Sequence, residues 1–493
     1  MLLGRLLQQA GLGGVPGLYA QQVVTGLTAD SRAVAPGFLF AALSGANTDG
    51  RAFIPDALAR GARVLLVAEG SDIEAEGIVV VRSPQPRDAL SRLAAAFYEM
   101  QPTDVTAVTG TNGKTSTASF FRQILDHAGQ RAASLGTLGL IGPDFECHEQ
   151  LTTPDPVTLH RLLALVVEKH CPFLCMEASS HGLDQRRLDA VSIKAAAFTN
   201  FSRDHLDYHS TKDAYFAAKV RLFEEILSPG GVAVLNADCS SFSPLKKACM
   251  ATGRRVQSYG EKGEFFRLLE TQCHPDGQDV SLCIQGTMAH VRLPLIGSFQ
   301  AMNVLAALGL VFGCETGVDT QVILSALETL KSVPGRLEYA GSPCSGASVY
   351  VDYAHTPDSL EKVLCALRPH VQGRLHLVFG CGGDRDPGKR PMMGSIAVKL
   401  ADSVIVTDDN PRTEDPAFIR AAICSACPGA DEIGDRRRAI ECAVTALRSG
   451  DVLLIAGKGH ECGQIIGHDV FPFDDRAVVR EMVGHPLSSG GLS

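Results

Sequence analysis

The feature that most constrains the fold is a short apolar stretch followed by a glycine-rich turn and a helical pattern. Residues 105–108 are apolar enough for a buried strand, and residues 117–125 carry apolar side chains at helical spacing. Between them, Gly110 and Gly113 let backbone N–H groups turn toward an anion at the start of a helix, and Lys114 adds a positive charge. An ordinary strand-to-helix turn with a solvated lysine is the simpler alternative. The pattern favours a loop that holds ATP phosphates within an α/β fold.

The size and charge of the chain limit the classes of protein to which it can belong. Its 493 residues exceed what one hydrophobic core usually supports and predict about three domains. A formal net charge of −9 argues against a nucleic-acid-binding surface, which needs a basic face. The longest apolar run, residues 304–314, is shorter than the ~20 residues of a membrane span. We therefore expect a cytoplasmic protein whose partners are small molecules, with no nucleic acid and no membrane span. We also expect a monomer.

The 15 cysteines are scattered through predicted strands and helices without a repeating framework. Such a distribution is typical of reduced thiols that pack as small core residues. One Cys-x-x-Cys pair, Cys424 and Cys427, has no second pair or nearby histidine pattern to complete a zinc site. We expect buried or incidental thiols at this pair rather than a bound metal.

Three segments with different patterns follow one another along the chain. Short strands separated by Gly and Asp turns predict a small α/β recognition domain in residues 1–100. In residues 101–333, apolar strands alternate with helical patterns, which predicts a doubly wound, mostly parallel sheet. Residues 334–493 begin a new series of strands that run into polar loops, where open α/β sheets bind ligands. The predicted strands are residues 38–42, 64–67, 78–81, 105–108, 173–177, 195–199, 231–235, 348–352, 375–379, 403–407 and 451–455.

Two strand ends in the second segment carry potential metal ligands. Glu177 ends an apolar strand before a turn rich in hydroxyls, and its carboxylate suits either a metal or the capping of that turn. Several potential ligands close together in the loop 199–209 favour a metal or phosphate site over a merely polar loop. These ligands are Asp204, His205, Asp207 and His209.

Lys219 lies at the border of a helical apolar stripe over residues 212–227. Taken alone, such a lysine is most often one whose stem covers apolar surface while its charged end reaches water. The sequence pattern by itself does not single it out.

Four loops at strand ends in the third segment combine cations, acids and amides. An amino acid needs cations for its carboxylates and acids for its ammonium groups. The four loops together therefore favour a zwitterion site over four separate solvated loops. They are residues 352–355, 380–386, 408–412 and 457–461.

Taken in order, these motifs resemble those of the Mur ligases of bacterial cell-wall synthesis, from roughly residue 25 to residue 480. The resemblance implies a three-domain Mur ligase architecture. It comprises a UDP-sugar (UDP-MurNAc) binding domain in residues 1–100, a central P-loop-type ATPase sheet in 101–333 and a Rossmann-like amino-acid-binding domain in 334–493. The motifs are Thr-Gly-Thr-Asn-Gly-Lys-Thr (109–115), Glu-Ala-Ser-Ser-His-Gly (177–182), Thr-Asn-Phe-x-x-Asp-His-x-Asp-x-His (199–209), Lys219, Gly-Ser-Phe-x-x-x-Asn (297–303), Pro-Gly-Arg-x-Glu (334–338) and Asp-Tyr-Ala-His (352–355).

Within the family, residues 30–32, 36–37 and 409–412 resemble the member that adds the third peptide residue. That enzyme joins meso-diaminopimelate to UDP-N-acetylmuramoyl-L-alanyl-D-glutamate (UDP-MurNAc-L-Ala-D-Glu). The resemblance implies that ATP phosphorylates the side-chain carboxyl of D-glutamate, and that the amine then attacks this acyl phosphate. Mg²⁺ would assist the phosphoryl transfer.

The resemblance also implies roles for individual residues. Lys114, Glu177, His205 and Lys219 would be catalytic, and CO₂ would carbamoylate Lys219 so that it becomes a carboxylate. The Mg²⁺ ligands would be Thr115, Glu177, His205 and the modified Lys219. The ATP site would comprise Gly110, Thr111, Asn112, Gly113, Lys114, Thr115, Ser116, Asn303, Arg336 and Asp352. The sugar-dipeptide site would comprise Ser31, Asn47, Thr48, Thr152, Thr153, Ser179, Gln185 and Arg187. The diaminopimelate site would comprise Arg385, Asp409, Asn410, Pro411, Arg412, Gly457 and Glu461.

Three alternatives stay open on the sequence. A lysine-adding Mur ligase and a folylpolyglutamate synthetase share the ATP core with this pattern. Arg412 favours diaminopimelate, because a guanidinium can bind the distal carboxylate through two hydrogen bonds and lysine has no such carboxylate. A phosphate-loop NTPase that acts as a switch or motor without ligation is the alternative from another class, but it leaves the loops of the third segment unexplained.

Overall fold

The computed structural model describes residues 1–45, 49–74, 76–202, 204 and 208–484. The chain forms two compact units, and the division between them falls within residues 268–327. The first unit comprises Met1–Leu268, Cys283–Thr287 and Met302–Ala326, and the second comprises Leu269–Leu282, Met288–Ala301 and the chain from Leu327 onward. All 15 cysteines are free thiols, as expected from their distribution. Within the described ranges, no helix is both long and apolar enough to cross a membrane.

The first part of the first unit is a parallel sheet with helices on both faces. Its elements are α1 (Leu3–Gln9), α2 (Gly17–Ala20), β1 (Gly26–Thr28), β2 (Phe38–Ala41), α3 (Ile54–Ala59), β3 (Val64–Ala68), β4 (Val79–Ser83) and α4 (Pro86–Tyr98). The four strands lie in chain order and all pair in parallel. Successive strand residues face opposite sides, so Leu39 packs with α1 and α4 while Phe40 packs with α3. This part is the small α/β fold that the sequence predicts.

The middle part of the chain continues with a larger sheet. Its elements are β5 (Asp104–Thr109), α5 (Lys114–His127), β6 (Ala132–Gly136), β7 (Gly139–Ile141), β8 (Glu146–Cys147), α6 (Pro156–Glu168), β9 (Phe173–Glu177), α7 (Ser180–Asp184), β10 (Ile193–Phe198), α8 (Lys212–Arg221), β11 (Leu227–Asn236), α9 (Phe242–Ala251), β12 (Arg255–Gly260), β13 (Phe266–His274), β14 (Gly277–Ile284), β15 (Thr287–Leu293), α10 (Phe299–Gly313) and α11 (Thr320–Leu327).

Within the first unit, the strand order is β12-β11-β10-β5-β9-β6-β7-β8. The strands from β12 to β6 pair in parallel, and β7 and β8 are antiparallel. The chain leaves β5 on one side to form β6 and β9, and then crosses to the other side for β10, β11 and β12. The loop after β5 therefore lies at the switch point, where doubly wound sheets bind ligands. The doubly wound, mostly parallel sheet is confirmed.

The apolar stripe over residues 212–227 is not one helix, which corrects the sequence prediction. The regular helix α8 ends at Arg221, and one wide π-helical turn covers Leu222–Ile226. Leu227 then begins β11, where it pairs with Ile193 of β10. Pairing with the sheet overrides the helical spacing of the last residues because it buries Leu227 completely.

The last part of the chain, within the second unit, is a second α/β sheet. Its elements are β16 (Glu338–Gly341), β17 (Ser348–Asp352), α12 (Pro357–Leu367), β18 (Leu375–Phe379), α13 (Lys389–Leu400), β19 (Ser403–Val406), α14 (Pro416–Cys424), β20 (Asp431–Glu432), α15 (Arg436–Ala446), β21 (Val452–Ala456), β22 (Gly463–Ile466), β23 (Asp469–Pro472) and α16 (Asp475–Val483). The strands β22 and β23 form a separate antiparallel hairpin. The other six strands lie in the order β16-β17-β21-β18-β19-β20, and among them only the β16–β17 pairing is antiparallel. The carboxyl ends of β17, β21, β18 and β19 are thus neighbours on one edge, as the strand-end loops predict.

Candidate active site

The turn between β5 and α5 has the backbone geometry of an anion-binding loop. Gly110 and Gly113 have φ angles of 143° and 87°, which favour glycine over residues with a side chain. A Cβ at Gly110 would overlap Thr199, and one at Gly113 would overlap Asn303. No hydrogen bond from a side chain caps the start of α5 in the described residues, so its first N–H groups can face an anion. The loop therefore fits the phosphates of a nucleotide.

The chain after β10 holds this turn from one side. Asn200 accepts hydrogen bonds from the backbone N–H groups of Thr111 and Asn112, through its carbonyl and its side-chain oxygen, both at 2.9 Å. The Thr199 hydroxyl donates to the Asn112 carbonyl at 2.6 Å. These bonds fix the turn before any ligand binds, which reduces the entropic cost of binding.

Two lysines converge on one carbonyl oxygen of this turn. The ammonium groups of Lys114 and Lys219 donate to the Gly110 oxygen at 3.0 and 2.8 Å. Lys219 is only 1% exposed, and its Nζ lies 4.5 Å from the centre of the Tyr215 ring. Burial lowers the pKa of Lys219 far below its usual value; the Lys114 charge lowers it further, and Asp204 opposes the shift. The expectation that the end of Lys219 reaches water is wrong.

Glu177 lies beside the same turn. It ends β9, pairs in register with Val108 of β5, and is 2% exposed. Its carboxylate accepts hydrogen bonds from the backbone N–H and the hydroxyl of Thr137, at 2.9 and 3.4 Å. The turn that follows Glu177 is capped instead by Ser179, whose hydroxyl oxygen accepts the N–H of Gly182 at 3.1 Å. Capping of the next turn therefore does not explain the buried carboxylate.

The described residues contain no group of three or more His, Cys, Asp or Glu side chains arranged to hold a metal ion. His205 and Asp207, which the sequence analysis names as potential ligands, lie outside the described residues. His209 is buried and stacks near Tyr215 and His181. The Cys424–Cys427 pair consists of free thiols.

The residues predicted to bind the dipeptide are joined to one another around the end of β9. The Thr153 hydroxyl donates to the Glu177 carbonyl at 2.8 Å and accepts the Ser179 N–H at 3.0 Å. The Arg187 guanidinium donates to the Thr153 carbonyl at 2.5 Å and to the Gln185 side-chain oxygen at 2.8 Å. Thr152 and Thr137 share a hydroxyl contact of 3.1 Å. Ser31 is buried in a short helical turn after β1, and Asn47 and Thr48 lie outside the described residues.

In the second unit, the loops after β19 and β21 meet in a charged cluster. The Asn410 amide donates to Glu461 Oε2 at 2.9 Å. The Lys458 ammonium donates to the same oxygen at 3.1 Å and to Asn410 Oδ1 at 2.9 Å. Gly457 has φ 117°, and a Cβ there would overlap the Asp409 carboxylate, so this close approach requires glycine.

Arg412 is held by its backbone against the β22–β23 hairpin. Its N–H donates to the Ile465 carbonyl at 3.0 Å, and its carbonyl accepts the Gly467 N–H at 2.7 Å. The backbone of Arg412 is left-handed, with φ 52°, an uncommon conformation for a residue with a side chain. Its guanidinium donates to the Gly383 carbonyl at 2.8 Å, while Pro411 is buried and Arg385 is exposed. The hairpin thus fixes the backbone from which this guanidinium extends.

Arg336 and Asp352 form a separate group in the second unit. Asp352 accepts the backbone N–H groups of Leu337 and Ala354 at 2.7 and 2.8 Å. Burial raises the pKa of Asp352, and the Arg336 charge and these two hydrogen bonds oppose the shift. The Arg336 guanidinium lies 4.8 Å from the centre of the Tyr353 ring. Asn303, by contrast, lies in the first unit against Gly113.

Sequence reasoning missed several residues that support these loops. Lys458 and Arg436 are completely buried charges, and Arg436 forms a bidentate pair with the buried Asp475 at 2.7 Å. Asn200 and Tyr215 contact the phosphate loop and Lys219. Two of these residues lie within motifs that the sequence analysis names: Lys458 in the loop 457–461 after β21, and Asn200 in the motif 199–209.

One sheet carries a phosphate loop at its switch point, and the other carries a charged cluster at its carboxyl edge. This combination is what an ATP-dependent ligase that forms an amide bond requires. Family models agree with this class: the Mur ligase family catalytic domain matches residues 23–98, the Mur ligase middle domain 108–311, and the Mur ligase glutamate ligase domain 335–459. The chain belongs to the Mur ligase family.

Individual relatives resemble the chain over most of its length. A UDP-N-acetylmuramoyl-L-alanyl-D-glutamate–2,6-diaminopimelate ligase of Caulobacter vibrioides is 52% identical over 92% of this chain and 94% of the relative. The ligase of the same name from Brucella melitensis is 49% identical over 94% of this chain and 95% of the relative. A solved structure of a ligase with that name is 34% identical, with a TM-score of 0.73 over 98% of this chain and 99% of the other.

Proposed function

We propose that this chain joins meso-diaminopimelate to UDP-MurNAc-L-Ala-D-Glu, with ATP as the energy source. The substrates are those named for the relatives of 49–52% identity that cover more than nine-tenths of the chain. The geometric observation that carries the proposal is the convergence of Lys114 and Lys219 on the Gly110 carbonyl inside a phosphate-binding turn. A cytoplasmic location and a monomeric state remain predictions from the sequence.

The first chemical step transfers the γ-phosphoryl group of ATP. An oxygen of the D-glutamate side-chain carboxylate forms a bond to the γ-phosphorus, and ADP leaves. The backbone N–H groups of residues 113–116, at the start of α5, and the Lys114 ammonium stabilise the negative charge of the phosphates during this transfer. Asn303 lies against Gly113 and is proposed to border the adenine. The assignment of Arg336 and Asp352 to the nucleotide remains a prediction.

Lys219 acts in this proposal as a carbamate. Its depressed pKa and complete burial favour the neutral amine, which adds to CO₂ with loss of one proton. The resulting carboxylate, the Glu177 carboxylate and the Thr115 hydroxyl would supply hard oxygen donors, which fit Mg²⁺. Bound Mg²⁺ would neutralise charge on the transferring phosphoryl group. His205 remains a predicted additional ligand.

The second step forms the amide bond. The neutral amine of the incoming amino acid attacks the carbonyl carbon of the acyl phosphate, and the tetrahedral intermediate releases inorganic phosphate and a proton. We propose that Arg412 and Arg385 bind carboxylates of diaminopimelate, that Asp409 and Glu461 bind an ammonium group, and that Asn410, Pro411 and Gly457 shape the site. Positioning of the amine near the carbonyl is the main contribution of these residues.

The sugar dipeptide is proposed to bind along the end of β9. Arg187 is the cation of this group and donates to the Thr153 carbonyl, and the Thr153 hydroxyl accepts the Ser179 N–H. Thr152 and Gln185 extend the polar surface, and Ser31 lies in the first domain that the family resemblance assigns to the nucleotide sugar. Asn47 and Thr48 remain predictions.

The test is a ligation assay with two acceptors. The purified chain is mixed with ATP, Mg²⁺ and UDP-MurNAc-L-Ala-D-Glu, and receives either meso-diaminopimelate or L-lysine. Mass spectrometry should detect the tripeptide product with diaminopimelate, and ADP release should depend on the acceptor. Preference for lysine would overturn the substrate assignment. ATP hydrolysis without any amide product would instead indicate a phosphate-loop NTPase.

A further inference from the structure

We infer that Lys458 is a positioning residue that sets the orientation of Asn410 and Glu461 for the incoming amino acid. Lys458 lies in the loop after β21 and its side chain is completely buried, so the ammonium group does not itself meet a ligand from solvent. Its Nζ lies 2.9 Å from Asn410 Oδ1 and 3.1 Å from Glu461 Oε2. This inference rests on the proposed function, which assigns Asn410 and Glu461 to the diamino acid.

The first consequence concerns the amide of Asn410. Its Oδ1 accepts the Lys458 ammonium and also the backbone N–H of Ile465 at 3.0 Å. Both partners are donors only, so this corner of the side chain must be the oxygen and the opposite corner must be the NH₂ group. The NH₂ group donates to Glu461 Oε2 at 2.9 Å. Lys458 therefore fixes which way the amide points and directs its NH₂ group at the Glu461 carboxylate.

The second consequence concerns the carboxylate of Glu461. Lys458 and Asn410 both donate to Oε2, and no hydrogen bond from the described residues reaches Oε1. The Glu461 side chain is 34% exposed, whereas the Lys458 side chain is not exposed. Oε2 is therefore held by buried donors, and Oε1 can accept an ammonium group. Lys458 thus holds a carboxylate in one orientation without blocking it.

The third point is that the neighbouring buried cation does not replace Lys458. The Arg436 guanidinium forms a bidentate pair with Asp475 and donates to the Ala456 carbonyl at 3.1 Å. Asp409, also buried nearby, adds negative charge to the cluster. Without Lys458, Asn410 Oδ1 would lose one of its donors and Glu461 would lose its close cation, which makes rotation of both side chains easier.

The test measures KM for all three substrates in Lys458→Met, which has a similar volume but no donor. We expect KM for diaminopimelate to rise at least tenfold while KM for ATP and for the sugar dipeptide changes less than twofold. The matched control is Lys399→Met on the exposed face of α13, which should change none of the three. An equal rise in all three values, or no rise for diaminopimelate, would overturn the inference.

A second variant guards against a folding defect. If Lys458→Met does not fold, Lys458→Gln keeps a hydrogen-bond donor without the charge and should give the same selective rise, to a smaller extent. Combining either folded variant with Glu461→Gln should cost less than the two single changes added together, because both act on one contact. Strict additivity would contradict a role through Glu461. If the unchanged enzyme forms no amide with diaminopimelate, the proposed function fails; the outcomes above test Lys458 in an enzyme that does.

Discussion

His160 should make the stability of the first unit sensitive to mild acid. The residue lies on α6 with no exposure, and neither ring nitrogen has a hydrogen-bond partner in the described residues. Burial lowers its pKa from the usual 6.5 to about 4. Below pH 6.5 the unfolded chain binds a proton that the folded chain excludes. The free energy of unfolding therefore keeps its full value above pH 6.5 and decreases as the pH falls from 6.5 to about 4. Each pKa unit corresponds to about 1.4 kcal/mol, so the full loss is about 3 kcal/mol.

The perturbation that isolates this effect is His160→Met, which fills a similar volume and does not titrate. Urea unfolding, followed by circular dichroism at pH 7, 6 and 5, should show that the wild-type chain loses stability relative to the variant as the pH falls. Half of the effect or more should be visible by pH 5, on the order of 1.5–2 kcal/mol. His468→Met, which changes an exposed ring, is the control and should keep the wild-type pH dependence. The reasoning is refuted if His160→Met and the wild type keep a constant difference in stability across this range.

Three further predictions concern activity. Lys219→Ala should abolish ligation and regain part of it with added formate or acetate, because a short carboxylate can replace the carbamate; undiminished activity would exclude the role. Gly113→Ala should raise KM for ATP at least tenfold, about 1.4 kcal/mol, since its Cβ would meet Asn303 at a left-handed φ; unchanged ATP binding by calorimetry would contradict this. Arg412→Ala should weaken the binding of diaminopimelate by about 1.5–3 kcal/mol, because a charge-assisted pair is lost, and should leave KM for ATP unchanged. Equal effects on both substrates would contradict the assignment of Arg412 to diaminopimelate.

The sheet and its phosphate loop could be predicted because their signals are local in the chain. The strands at residues 173–177, 348–352 and 375–379 are confirmed at their predicted bounds, since a buried parallel strand is a continuous apolar run. The helix after the turn is confirmed over residues 117–125 and begins slightly earlier, at Lys114. Gly110 and Gly113 have the positive φ angles that a phosphate turn requires.

The buried cations could not be predicted from local pattern. Lys219 borders an apolar helical stripe, and only the packing of α8 against the β5 turn brings its amine to the Gly110 carbonyl. The pairing of Arg436 with Asp475 joins residues 39 positions apart, and neither has a distinctive neighbourhood in the sequence. The apolar stripe extends to Leu227, so the sequence pattern predicts that the helix continues to this residue. The prediction fails there because Leu227 pairs with β10 as part of a strand.

The central claim is that ATP activates a carboxylate as an acyl phosphate before the amine attacks. The most direct measurement uses UDP-MurNAc-L-Ala-D-Glu labelled with ¹⁸O in the side-chain carboxylate of D-glutamate. After ligation with diaminopimelate, mass spectrometry of the inorganic phosphate should find one ¹⁸O atom, because the carboxylate oxygen leaves with the phosphoryl group. Phosphate without label, formed together with the amide product, would contradict the account.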